Sequence, residues 1–554
     1  MSVATRLEPM TDPFIAMPRR RRPSWDVGAR LGLLAGLAVG CASSGWVGEA
    51  DSEVAEVLAK ADRTALDERA EWIQQPLPLS PEAADQGQGE LADPVGQPPE
   101  TAPAPLHITL DSALAAAFST AREYITAEES LYLSGLSLTG TRFGFGPQLD
   151  ASVDTGWADS ELGPGSSFAG ADFRVSQLLR SGGTVSASAD LSTGWTGGPG
   201  ASRSWTTGAD FSLTQPLARG AGQAVAFESL TQAERNILYA TRDFELFRQD
   251  HAIAIIAQYF DLIRRKTQLA NDESNYEQAV FDREKSEALR SVDRAQDEAV
   301  FLARRREVDA ETQLLVGRTD LKFSLDAFRI RLGLPEASEI TIGIEDPPFE
   351  PIRLDADSAV EVALHNRLDL LTSREQVEDS RRQLVIAKNR LLPDVDLSLG
   401  YGLGDTSREL GRLGPTDWNT NASLSVEVPL QRLPERNAYR STMITYDRSL
   451  RSFELLLENT ERDVRAALRE LDRLEKQIEL AGLQITQDDR AVVVTQIRYE
   501  AGEADNRDLL DARQSLINAR NGLIQVQVSH YIGRLRLYRD LGLLFIDNDG
   551  SWRL

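Results

Sequence analysis

Two periodicities share this chain. LDASVDTGW from Leu149, TVSASADLSTGW from Thr184, TGADFSLTQPL from Thr207 and VDLSLGYGLG from Val395 alternate with a period of two, which predicts strands. Ser, Thr, Ala and Gly dominate them, so neither face of any one segment reads as strongly apolar. A sandwich core needs Val, Ile, Leu and Phe on its inner face; a weak alternation suits a barrel wall between lipid and water. Trp157, Trp195, Trp205 and Trp418 lie in or beside these segments. Indoles favour membrane interfaces, and burial in ordinary sheet cores is the other reading.

The second periodicity is helical. Residues from about 224 to 333 and from about 434 to 543 hold no proline beyond Pro434. Within them Leu457, Thr460, Val464, Ala467, Leu471, Leu474, Ile478 and Ala481 step alternately by three and four. That seven-residue repeat makes helices wrap on one another. An arm of about 50 residues, rising ~1.5 Å each, would reach about 75 Å. Such a hairpin is a tube wall or a projecting rod.

The body of the chain says these things twice. ITLDSALAAAF (Ile108–Phe118) parallels IRLDADSAVEVAL (Ile352–Leu364), and FSLTQPLARG (Phe211–Gly220) parallels LSVEVPLQRL (Leu424–Leu433). Pro147 and Pro393 open the strand sections, and Pro216 and Pro429 close them. Proline can end a sheet ladder without needing a donor. The first half holds a surplus between its prolines, FRVSQLLRSGGTVSASADLSTGW (Phe173–Trp195), which reads as two strands around a Gly-Gly turn. This extra pair is either part of the wall or a surface loop.

The N-terminus carries a different signal. RRRR (Arg19–Arg22) precedes LGLLAGLAVGC (Leu31–Cys41), a run too short to span a bilayer, which takes about 20 apolar residues. A basic region, a short apolar core and small residues describe an export signal, with translation expected to begin at Met17. Cys41, the only cysteine, sits where a lipobox places its lipidated residue, although Ala38 stands where leucine is commoner. An incidental buried cysteine is the alternative. The stretch PLPLSPEAADQGQGELADPVGQPPETAPAPL (Pro76–Leu106) cannot bury enough apolar surface to fold. The chain thus divides into a signal with lipobox (1–41) and a Pro-rich tether with room for one short helix after Asp51 (42–106). A first repeat follows (107–345: helix, strands about 147–216, hairpin about 224–333). Then come a second repeat (346–548: helix, strands about 393–429, hairpin about 434–543) and a tail (549–554).

Composition removes other functions. A net charge of −25 argues against nucleic-acid binding, which needs a basic face. One cysteine and four histidines leave little for a transition metal or a disulfide framework. No phosphate-binding loop or metalloprotease helix motif occurs, so no catalytic residue and no cofactor is expected.

From about Leu106 to Leu544 the chain resembles the trimeric TolC-type outer-membrane efflux and secretion channels, in a lipoprotein variant. The duplication, FSLTQPLARGAG and RYEAGEADNRDLLDARQSLINAR (Arg498–Arg520) carry the resemblance. It implies an α+β membrane protein of internal twofold repeat. Three protomers would share one β-barrel, continued by a long antiparallel α-helical coiled-coil barrel in the periplasm. With two strands per half the family's trimer has twelve; four plus two would give eighteen. The implied function is passive: an exit channel of a tripartite efflux or type I secretion system in the outer membrane of a Gram-negative-type bacterium. The implied partners are an inner-membrane pump of RND or ABC type, a periplasmic adaptor, outer-membrane lipid and two further copies of the chain.

By matching positions, the turn at Gly502 is the periplasmic tip, Tyr499 a latch residue, and Asp508 and Asp511 the carboxylates ringing the aperture. Asp293 stands at the corresponding turn of the first half as a latch partner. The first half lacks a glycine matching Gly502, and Ala504 replaces the expected arginine, so the closing bonds must differ. Read without the resemblance, Asp508 and Asp511 are exposed helix acids beside a turn. Two other classes fit parts of the pattern: a periplasmic adaptor, which usually carries one hairpin rather than two, and a non-conducting coiled-coil rod, which leaves the Trp-bearing strands unexplained.

Overall fold

The computed structural model describes residues 44–66, 106–160, 163–196, 202–292, 296–336, 338–343, 345, 347–410, 417–501, 503–504, 506–547 and 552–553. The export signal, Cys41, most of the tether, Asp293 and Gly502 lie outside the described residues. The chain divides into two compact units, Met1–Ser52 and Glu53–Leu554, and the elements below belong to the second unless they begin earlier.

Helix α1 (Ser44–Leu66) differs from the short helix expected after Asp51: it has 23 residues and begins earlier. Val54, Val57, Leu58 and Ala61 are buried, a single stripe at helical spacing. Val54 sits so close to Gly135 that a Cβ there would lie 2.7 Å from its Cγ1. A glycine is required at that crossing.

The element order then runs through two similar courses. The first comprises β1 (Leu106–Ile108), α2 (Leu110–Ser119), α3 (Arg122–Phe145) and the strands β2 (Gln148–Ser160), β3 (Gly163–Leu178), β4 (Thr184–Thr196) and β5 (Ser202–Pro216). A short α4 (Gln223–Ala226) leads into the hairpin of α5 (Glu228–Ser291) and α6 (Asp297–Arg331), closed by β6 (Ile340–Ile342). The second comprises α7 (Ala356–Asn366), α8 (Leu368–Asn389), β7 (Asp394–Ser407) and β8 (Asp417–Glu427). It ends with α9 (Leu433–Glu500), α10 (Asn506–Asp540) and the short pair β9 (Phe545–Ile546) and β10 (Trp552–Arg553). No described helix is long and apolar enough to cross a membrane.

Both courses start at a capped helix. Thr109 and Ser112 form a reciprocal capping box on α2, and Asp355 accepts from the backbone of Ser358 on α7. The hairpin arms are unequal, with 64 and 35 residues in the first and 68 and 35 in the second. The inequality has a packing cause: α3 lies along α5, and α8 along α9, over the length the shorter arms leave uncovered. The seam foreseen on α9 is real, with Thr460, Val464, Leu471 and Leu474 buried.

The core lies midway along α5. Ile255, Ile256, Tyr259, Phe260 and Ile263 are buried there among side chains of α2, α3, α6 and α10. Two buried histidines border this core. His251 stacks on Phe247, and its Nε2 lies 3.3 Å from the Ala117 carbonyl. His530 lies 3.5 Å from the Glu475 carboxylate. At the end of α6, Gly333 adopts φ 71°, and a Cβ there would lie 2.0 Å from the Thr120 carbonyl oxygen. That helix end therefore admits only glycine.

A polar seam joins α5 to α8. Tyr239 donates to Asp379 at 2.7 Å, while Arg235 and Arg382 pair with the same carboxylate at 3.3 and 2.9 Å. The buried Arg242 pairs with Glu375 at 2.9 Å, and Arg382 also reaches Glu228 at 3.1 Å. Burial, and then the neighbouring Asp379, pushes the Tyr239 hydroxyl up to about 12. It stays a donor throughout the physiological range.

Burial also lowers the pKa of both His251 and His530, against the raising effects of Ala117 and Glu123 at the first and of Glu475 at the second. The unfolded chain takes up these protons near 6.5, whereas the folded protein resists them, so stability is complete above that pH and falls as pH drops below it. Each histidine contributes a slope of at most about 1.4 kcal/mol per pH unit. Thermal unfolding in detergent between pH 7.5 and 5.5 should show this loss, and the pair His251→Phe with His530→Phe should flatten it; an unchanged slope would assign the loss to other groups.

Candidate functional site

All six long strands form one antiparallel sheet in the order β2-β3-β4-β5-β7-β8. Register decides which side chains share a face. Leu149 opposes Val175, Val175 opposes Ala187, Ala187 opposes Phe211, and Phe211 opposes Tyr401. Leu403 opposes Trp418, and Leu397 opposes Leu424. Followed across the sheet, the weak alternation of each strand adds up. Every large apolar side chain of the paired strands lies on this face except Phe168 and the strand-end Leu178. The expectation that no face is strongly apolar fails for the sheet, and already for β7, where Val395, Leu397, Leu399, Tyr401 and Leu403 share this face.

That apolar face is open to the surroundings: Leu149 and Val153 are each 66% exposed and Trp157 72%. From Val185 to Trp195 it runs about 34 Å along β4, which projects to about 26 Å at a tilt of ~40°. Membrane barrels carry an outward apolar band about 25 Å tall. Trp157, Trp195 and Trp205 gather toward the loop ends of their strands, and Trp418 lies on the same face four residues before its partner strand's last paired position at that end. Arg203 lies 4.6 Å from the Trp205 ring centroid, near the same end.

The opposite face is polar and mainly acidic, with Asp150, Asp154, Asp172, Asp190, Asp210, Asp394 and Asp396 on it and Arg174 among them. Glycines give these groups room. A Cβ at Gly208 would lie 2.2 Å from an Asp190 oxygen, and one at Gly402 would lie 2.7 Å from an Asp210 oxygen. Phe168 lies flat on this face because Gly156 opposes it; a Cβ there would meet the ring at 2.2 Å.

The four prolines sit at the ends of strands. Pro147 separates α3 from β2, Pro216 ends β5, Pro393 precedes β7, and Pro429 follows β8. The inner two passages are bonded to each other: the Leu217 amide donates to the Val395 carbonyl at 2.7 Å, and Arg219 pairs with Asp394 at 3.2 Å. Strands from the two courses of the chain are thereby locked side by side.

Between the core and the hairpin turns, α5 and α10 lie side by side, Asn271 donating to Asn521 at 2.6 Å. Tyr499, half-buried at the end of α9, faces the ammonium of Lys285, 4.4 Å from its ring centroid. Asp508 and Asp511 are both exposed on the first turns of α10, with the buried Leu509 between them. Asp511 pairs with Arg306 of α6 at 3.4 Å and with Arg507 at 3.8 Å. The first hairpin is clamped near its end by Arg283 with Glu287 at 3.0 Å and Glu307 at 2.6 Å, and by Arg304 with Glu287 at 2.9 Å.

The sequence singled out Tyr499 and the two aspartates but neither Lys285 nor Arg306. These partners lie more than two hundred positions away, and the abundance of charged residues hides such pairs.

The sheet thus has one apolar and one acidic face and is followed by paired helical hairpins. Residues 359–543 match the family model described as outer membrane efflux protein. It is 24% identical to the probable outer membrane lipoprotein SilC of Salmonella typhimurium over 233 residues, 40% of this chain and 48% of that one. It is also 24% identical to the cation efflux system protein CusC of Escherichia coli K12 over 337 residues, 57% of this chain and 69% of that one. The match thus spans about half the length of SilC. Among solved structures, the Campylobacter jejuni CmeC outer membrane channel superposes with a TM-score of 0.57 at 15% identity, over 78% of this chain and 85% of that one.

A Lys–aromatic contact at a partly exposed site contributes ~0.5–1 kcal/mol. Lys285→Gln and Tyr499→Leu should each loosen the hairpin ends, and in a double-mutant cycle read by amide hydrogen exchange they should couple by about that amount. Additive effects would mean that the two side chains do not act as a pair.

Proposed function

We propose that the protein is the exit channel of an efflux or secretion system, built from three copies and set in the bacterial outer membrane. The sheet carries this reading: its exposed apolar face suits lipid, and its acidic face suits a water-filled lumen. A single copy leaves β2 and β8 as open edges, which hydrocarbon does not tolerate. Since the strand number is even, β2 and β8 run in opposite directions, so copies placed head to tail continue the antiparallel ladder.

The helices support the same assembly. Within one copy α6 packs mainly on α5, and α9 on α10, α8 and α7, and both leave apolar side chains uncovered. On α6 these include Phe301, Val308 and Leu315, and on α9 Leu480, Leu483 and Ile497, all at least 57% exposed. Measured from the hairpin ends, Phe301 stands level with Ile497 and Leu315 with Leu483, as an antiparallel seam between copies requires. Phe301→Cys combined with Ile497→Cys should therefore yield a covalent trimer on oxidation, whereas Phe301→Cys with the distant Leu455→Cys should not. Equal yields from both pairs would remove the seam.

Energy comes from elsewhere, so the natural partners are an inner-membrane pump of RND or ABC type and a periplasmic adaptor reaching the hairpin ends. Asp508 and Asp511 ring the aperture there, supported by their exposure and by their place at the hairpin end. Cys41 carries the lipid that tethers the chain. Purified trimer in a planar bilayer should conduct with cation selectivity, and Asp508→Asn with Asp511→Asn should reduce that selectivity several-fold. Folded trimer without conductance would refute the channel. Conductance with unchanged selectivity would remove the two aspartates from the aperture.

A further inference from the structure

The hairpin of β3 and β4 is the surplus in the first half of the chain. Its placement has physical content. β3 pairs with β2 from Gln148↔Ser176 to Ser160↔Gly163, and β4 pairs with β5 from Thr184↔Thr214 to Thr196↔Ser202. β2 reaches β5 only through this hairpin. If the hairpin swung out of the sheet, β2 and β5 would each expose a full strand edge.

Its turn is also tied down at the level where strands pass into helices. The Gly222 amide donates to the Ser181 carbonyl at 2.9 Å, and the Gln215 side chain bonds Ser181 at 2.6 and 3.1 Å. Gly182 has φ 88°, and a Cβ there would lie 2.4 Å from the Gly220 carbonyl oxygen. This turn is fitted against the strand-to-helix passage.

The two faces of the hairpin match those of its neighbours. Phe173, Val185, Leu191 and Trp195 share the face of Leu149 and Trp157, while Asp172 and Asp190 share the acidic face. A hairpin standing outside the wall in water would have no use for a face of that length and polarity.

We infer that β3 and β4 are full members of the membrane wall, so that each copy supplies six strands and three copies close a ring of eighteen. This rests on the trimeric channel reading above. At a strand spacing of about 4.8 Å and a tilt of ~40°, eighteen strands close at a backbone diameter of about 36 Å, against about 24 Å for twelve. The outer mouth is then of porin class, wide enough for a folded peptide or a bulky hydrated complex. Selection by size falls to the hairpin ends.

Single-cysteine variants in outer-membrane vesicles test this, read by the rate of reaction with a charged, membrane-impermeant maleimide and compared with the parent chain. Ser188→Cys and Ser192→Cys, on the acidic face, should react at least about tenfold faster than Ala187→Cys and Ala189→Cys, on the apolar face. The control pairs are Ser212→Cys with Ala209→Cys in β5 and Ser423→Cys with Ala422→Cys in β8. If the controls alternate and the hairpin does not, the hairpin stands outside the wall and the inference fails while the channel survives. If neither alternates, the channel reading itself fails. Cryo-electron microscopy of the purified trimer gives an independent count: eighteen strands are expected, and twelve would overturn the proposal.

Discussion

A strand edge in hydrocarbon has no water to satisfy its amide and carbonyl groups, and under the channel function proposed above that constraint organises the sheet. Within one copy, four of the six strands are paired on both sides, and β2 and β8 are each left with one open edge. An even strand number makes these edges antiparallel to each other, so one kind of junction can close a ring. The bonds between the β5 and β7 passages serve the same end inside the copy, since they hold strands from distant parts of the sequence in register.

The helical part meets a different requirement. A 68-residue helix cannot bury itself, and its seven-residue stripe needs a partner along its whole length. The short return arms α6 and α10 cover only part of the long arms. α3 and α8 supply the remainder, which explains why helices precede the strands in each course. The apolar side chains left over on α6 and α9 are those an assembly can use.

Much of this was legible in the sequence, for identifiable reasons. The strands, prolines and hairpins follow from period-two and seven-residue patterns and from where proline stops a ladder. The stripe from Thr460 to Leu474 was read correctly because coiled-coil burial is periodic. The apolar sheet face was not legible as a whole, because every strand but β7 contributes only two or three large residues and register alone aligns them. The environment of Tyr499 was hidden for a related reason: Lys285 reaches it through the packing of two hairpins, which no local spacing encodes. The place of the β3–β4 hairpin stayed open until its pairing on both sides was known, since a Gly-Gly turn marks a hairpin wherever it lies.

The seam of buried charges between α5 and α8 has a mechanical consequence. Breaking one partner of a buried pair costs about 3–5 kcal/mol, whereas an exposed ion pair contributes ~1 kcal/mol or less. Sliding or twisting α5 against α8 would strand Arg242, Asp379 and Glu228 at once, so the molecule is torsionally stiff at this level. The hairpin ends, held by exposed pairs such as Arg306 with Asp511, are soft by comparison. Resistance to sliding is therefore concentrated at the seam, where Arg242 and Asp379 are most deeply buried.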